Sequence, residues 1–159
     1  MASALVPPTI GLLLDREGRT DKEIDEVSKE TQGAVTFLDR PMLENYLLSV
    51  PAILSVLRTG CDDLPESIIE ETIDHWIRTH GANTKYRTNG LDPLSDEWLR
   101  RVHGSRLLTD LFSELTDHRL EFRKTTHCEA LTRWLLSESP DFLDPLIKIL
   151  ETKLRCERQ

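Results

Sequence analysis

No stretch of this chain approaches the ~20 consecutive apolar residues that a membrane-spanning helix needs. The longest apolar stretch near its start, Ile10 to Leu14, includes a glycine. Nor does a basic region precede a long apolar segment, so a secretory signal is not expected and the reading is a cytoplasmic protein. Cysteine is scarce and odd in number: Cys61, Cys128 and Cys156, with no CxxC pair. Free thiols are the expected state. The histidines, His75, His80, His103, His118 and His127, include no pair at the i, i+4 spacing that puts two ligands on one helix face. His127 and Cys128 are neighbours and point in different directions on a helix, so a zinc site is not expected. A basic excess is missing too. Lys and Arg number 20 against 28 Asp and Glu, a net charge of -8. Autonomous DNA-binding domains normally carry the opposite balance. A metal-dependent nuclease also needs carboxylates, however, so the sign of the charge does not exclude nucleic-acid chemistry. Internal repeats and low-complexity segments are absent.

What remains is ordinary globular material. The 159 residues are 38% hydrophobic and 30% charged, the balance of a soluble single-domain protein rather than a disordered tail. A chain near this length hides roughly 70% of its unfolded surface. The charge is uneven: residues 41–80 are net -5, whereas residues 81–124 are net +1. An anionic partner is expected to approach the latter.

Thr9 to Leu14 reads as a buried strand ending at Asp15. Thr20 to Thr31 reads as a surface helix with only Ile24 and Val27 on its apolar stripe. Thr20 and Glu23 have capping-box spacing, and Gln32-Gly33 stops the helix. Ala34 to Leu38 reads as a second strand. Strand, helix, strand implies parallel pairing. Helices are then expected over Met42 to Leu48, Pro51 to Leu57 and Pro65 to His80, with a polar loop over Gly81 to Pro93. Further helices are expected over Leu94 to Val102, His103 to Leu115, Thr125 to Leu136 and Pro140 to Leu154. The expected fold class is therefore α/β at the N-terminus, a short parallel βαβ unit, followed by a mainly α-helical region. The boundary falls near residue 60, with 1–60 and 61–159 packed as one unit. A two-stranded parallel sheet is marginal alone, so either helices cover it or further strands come from elsewhere.

Chemistry concentrates in acids near the strand ends. Asp15 and Glu17 occupy alternate positions after the first strand, and in extended chain such residues point the same way. Two carboxylates there make a hard oxygen site suited to Mg²⁺. Glu44 lies six residues beyond the second strand. If the strands are parallel neighbours, it emerges at the same sheet edge. Arg106 falls in the first turn of an apolar helix, where a cation could face a phosphate. Arg123-Lys124 is a basic pair before another helix. Each also has a plainer explanation, as a solvated acid or a surface cation.

Leu13-Leu-Asp-Arg-Glu17, Phe37-Leu-Asp-Arg40 and Leu43-Glu-Asn-Tyr-Leu-Leu48 together resemble the Toprim nuclease domain of OLD-family proteins, the ATPase-coupled nucleases of bacterial and phage-defence systems. Glu44 to Leu48 is the most specific stretch. The similarity continues weakly through His103-Gly-Ser-Arg106 and Phe122-Arg-Lys-Thr-Thr-His127. The resemblance implies a partial Toprim-like fold and a metal-dependent endonuclease, cutting DNA or RNA with Mg²⁺ or Mn²⁺. It implies that Asp15 and Glu17 form the acidic pair, that Glu44 is a nearby acid, and that Arg106 stands where the family tends to carry Lys. Arginine is poor at exchanging a proton. Two parts of the family pattern are missing: a first strand bearing a catalytic Glu, and the ATPase motif GxxxxGK[ST]. The resemblance thus implies no ATP site here, and a partner, either an ATPase-domain protein or an upstream segment, that supplies the missing strand. A stand-alone phosphatase or primase-like Toprim enzyme fits less well without that Glu. The reading from another class is a non-catalytic helical module that binds a partner protein.

Overall fold

The computed structural model describes residues 11–154. Thr9 and Ile10 of the expected first strand, Cys156 and the side chain of Leu154 lie outside the described residues. The chain begins with β1 (Leu12–Leu14), α1 (Asp21–Glu30) and β2 (Val35–Phe37). The strands pair in parallel, with Leu12 opposite Val35, Leu13 opposite Thr36 and Leu14 opposite Phe37. The α1 boundaries follow from local chemistry. The Glu23 N–H donates to Thr20 Oγ1 at 3.3 Å, and the Thr20 N–H donates to Glu23 Oε2 at 2.8 Å. This reciprocal cap satisfies two donors that a helix start otherwise leaves open. Beyond Glu30, Gln32 and Gly33 turn left-handed (φ 52° and 80°), and the Gly33 N–H returns to Ser28 O at 2.8 Å. No residue of α1 is buried, as its narrow apolar stripe predicts.

Everything after β2 is helical or irregular among the described residues: α2 (Val50–Gly60), α3 (Glu70–His80), α4 (Asp96–Leu99), α5 (Gly104–Leu115), α6 (Lys124–Glu138) and α7 (Asp144–Leu154). A short parallel βαβ unit followed by a helix-rich region is thus the architecture. One hydrophobic cluster runs from Leu47 to Leu143 and draws on α2, α3, α5 and α6. Phe112, Trp98, Ile53 and Ile77 are among its fully buried side chains.

Several segments differ from expectation. β1, expected to be buried, is exposed along its length, because among the described residues it pairs with β2 alone in a two-stranded sheet. The helix expected over Met42 to Leu48 is only a 3-10 turn, Leu43–Tyr46. The Asn45 carbonyl is taken by Arg40 Nη1 at 2.8 Å, and Pro51, at the start of α2, carries no N–H with which to continue the ladder. α3 begins at Glu70 rather than Pro65. The Ile68 N–H closes a turn on Pro65 O at 2.9 Å, and Thr72 Oγ1 accepts from the Ile69 N–H and donates to Ser67 O. The polar segment from Gly81 to Pro93 is partly interior. It holds a 3-10 turn over Thr84–Tyr86, and Tyr86 and Thr88 are fully buried. Gly81 O accepts from both Thr88 Oγ1 (2.7 Å) and Trp98 Nε1 (2.8 Å), which satisfies polar groups that burial would otherwise penalise.

Candidate functional site

Asp15 directly follows β1, and its Oδ1 accepts from the Leu43 N–H at 3.0 Å. The end of the first strand is thereby tied to the turn after the second. Glu44, the next residue in that turn, is 0% exposed. Lys124, the first residue of α6, places its Nζ 3.1 Å from Glu44 Oε1 and 3.5 Å from Asp15 Oδ2. One ammonium thus bridges two carboxylates that are 29 positions apart in the chain. Both Glu44 carboxylate oxygens are buried, and the charge they meet among the described residues is this ammonium. Burial pulls the Lys124 ammonium downward, but the nearness and charge of Glu44, then of Asp15, outweigh it and hold its pKa above the ordinary lysine value. Cys128, one turn along α6, is pushed up to about 12, chiefly by burial and then by Glu44. A thiol in that state is not a nucleophile at neutral pH.

The other two expected residues stand apart. The strand ends at Leu14, so the extended alternation does not reach Glu17. Glu17 and Gly18 adopt left-handed conformations (φ 40° and 80°). They form a tight turn in which the Arg19 N–H bonds Arg16 O at 2.9 Å, the mirror-image geometry that positive φ at both central positions defines. The Glu17 N–H donates to Pro41 O at 3.0 Å, while its side chain is exposed. Arg106 is exposed on α5 and forms no ion pair with Asp15, Glu17 or Glu44 among the described residues. The cation that reaches the acids is Lys124. The Arg123-Lys124 pair was visible in the sequence. Neither its charge nor its place at a helix start singles Lys124 out, because α5, which carries Arg106, likewise has no acid in its first turn.

The residues around the pair fix its position. Asn45 Nδ2 donates to Leu99 O and Val102 O, each at 2.8 Å, and so closes the end of α4. The Arg40 N–H donates to Tyr46 Oη at 3.0 Å. The Arg40 guanidinium lies 4.7 Å above the Tyr46 ring and pairs with Asp96 at 3.4 Å. Burial depresses Arg40 and raises Tyr46. Tyr46, Leu47 and Leu48 are core. Most of the Glu44 to Leu48 stretch is therefore packing, and Glu44 is the member that carries charge to the strand ends.

The Asp15 and Glu44 carboxylates are hard oxygen donors of the kind that suit Mg²⁺. That ion is commonly held by one or two carboxylates, with waters and substrate phosphates completing its shell. Among the described residues no group of three or more His, Cys, Asp or Glu is arranged to hold a metal. No helix of the described residues is long and apolar enough to cross a membrane. No protein-family model matches the chain, and comparison with curated proteins and with solved structures finds none similar.

Proposed function

We propose that this chain is a Toprim-like segment of an OLD-family, metal-dependent nuclease, acting on nucleic-acid phosphodiesters in a bacterial DNA-processing or phage-defence system. It works with an ATPase-domain partner or an upstream segment that adds a strand. The observation that carries the reading is the convergence of Asp15 and Glu44 on the Lys124 ammonium at the end of the parallel strands. Metal-bound carboxylates in such a place position and polarise phosphodiester oxygens, and a lysine beside them offers charge to a phosphate. Glu17 and Arg106 touch none of these three groups and are not needed by the proposal. The test is calorimetric titration of the chain with Mg²⁺ and Mn²⁺, beside Asp15→Asn, Glu44→Gln and Glu17→Gln variants. Saturable binding lost in the first two and kept in the third is expected. Absence of binding in the unaltered chain, or equal binding in all four proteins, overturns the metal site.

A non-catalytic interaction module is the second reading, and one feature favours it. Leu12, Leu13 and Leu14 are 53%, 37% and 40% exposed, and among the described residues β1 pairs only with β2, on one of its two edges. Strand addition by another polypeptide would pair the open backbone edge and shield part of these side chains.

A further inference from the structure

A cavity of about 270 Å³ opens beside the β1–α1 turn, walled by Arg16, Arg87, Arg100, Arg101 and His103, with Met42 and Val102 among its apolar residues. Four arginines around one small cavity are out of keeping with a chain of net charge -8. Two of them are already neutralised: Arg16 pairs with Asp21, and Arg101 pairs with Glu97 at 3.7 Å. Arg87 and Arg100 are exposed, and neither has an ion pair among the described residues. Arg87 caps the 3-10 turn Thr84–Tyr86 in a left-handed conformation (φ 66°), and Arg100 caps α4. His103 Nδ1 accepts from the Arg106 N–H at 3.4 Å. In the neutral ring that leaves the proton on Nε2, as a donor. Burial first, then the charges of Arg106 and Arg87, hold His103 below its ordinary value, which marks the region as crowded with like charge.

We propose that this cavity is a phosphate-binding site, taking a phosphate group through Arg87, Arg100 and His103. The guanidinium fork matches phosphate oxygens bidentately. Two forks and an imidazole N–H, brought from three separate elements, suit a tetrahedral group with several acceptor oxygens better than a planar carboxylate with two. The cavity is slightly smaller than the usual ~300–1,000 Å³ of drug-sized pockets, which fits a single phosphate or sugar phosphate. The phosphate belongs either to a polynucleotide backbone or to a small free phosphate. The site stands without the metal reading, and its test is run without divalent ions.

The full chain, in EDTA, is titrated into a fluorescent single-stranded oligonucleotide of about 12 nucleotides and followed by anisotropy. Inorganic phosphate is added as competitor and also titrated alone by calorimetry. An Arg87→Gln/Arg100→Gln variant is compared with Arg133→Gln, which removes an exposed arginine on α6 that pairs with Glu129. Circular dichroism checks that all three proteins are folded. The expected result is oligonucleotide binding weakened roughly tenfold or more in the double variant. Its logarithmic salt slope falls by roughly one to two, and Arg133→Gln has little effect. Phosphate competing for the same arginines identifies the cavity as the site of the backbone. Phosphate binding that needs Arg87 and Arg100 without any oligonucleotide binding supports the site and assigns it to a small ligand. No binding of either ligand, or equal losses in the double variant and in Arg133→Gln, overturns the proposal.

Discussion

Gly104 shows how closely the site residues are held. It opens α5 against the 3-10 turn, and a Cβ there would overlap Asn45 Oδ1 and stand 3.2 Å from Glu44 Cβ. The neighbour is no flexible tip, because Asn45 is anchored through Nδ2 to two carbonyls. Gly104→Ala is therefore expected to destabilise the fold by about 1–3 kcal/mol, the usual range for overpacking, read as a lower urea midpoint with an unchanged m-value. Part of this was legible in the sequence. The acids after the two strands read as a set because parallel pairing brings strand ends together. What could not be read was the fate of Glu17, which depends on where β1 stops and on a two-residue left-handed turn. Nor could the choice of cation be read. Arg106 and Lys124 carry the same charge in the sequence, and only the docking of α6 beside Glu44 separates them.

At the scale of elements, the pattern of apolar residues located most helices because each contributes a stripe to one core. Boundaries moved where side chains captured backbone groups, as Thr72 does before α3 and Arg40 does before α2. The segment from Gly81 to Pro93 departs from its expected loop for a related reason. Its composition is polar, but Thr88 and Tyr86 find partners inside: Gly81 O for the first, and Asp110 Oδ2, at 2.8 Å, for the second. α1 is the opposite case, an element that packing barely supports. Its persistence rests on its cap, so Thr20→Ala is expected to cost about 0.5–2 kcal/mol of local helix stability. Because no α1 residue is buried, the loss should appear as faster amide exchange confined to α1, with the global unfolding midpoint almost unmoved.

For the molecule as a whole, a buried histidine, His127, and a half-buried one, His103, set the response to acid. His127 lies 5.1 Å from the Phe112 ring and 5.6 Å from the Phe122 ring, and its Nδ1 accepts from the Arg123 N–H at 2.8 Å. Burial, then the Arg123 charge, lowers its pKa below 6.5; His103 is lowered likewise. The unfolded chain then binds more protons than the native one once the pH drops under about 6.5. Stability is full above that value and declines as pH falls toward the folded values, by no more than about 1.4 kcal/mol per pH unit for each histidine. The urea midpoint should be lower at pH 5.5 than at pH 7.5, and His127→Gln should flatten the difference. Glu23 and Asp110, whose pKa values are lowered by hydrogen bonds from Thr20 and, against burial, from Tyr86 and Lys85, act only below about pH 4.5, so the two windows separate. The bridge between Asp15, Lys124 and Glu44 has a consequence of its own at this scale. A helix presents partial positive charge at its first turn, yet α6 begins with Arg123 as its cap and Lys124 as its first residue, and has no acid in that turn. Its compensating negative charge arrives from Asp15 and Glu44, some eighty and more positions earlier in the chain. The strand ends therefore serve as the electrostatic cap of a helix near the other end of the sequence, and the start of α6 depends on the N-terminal unit for a counter-charge that its own sequence does not provide.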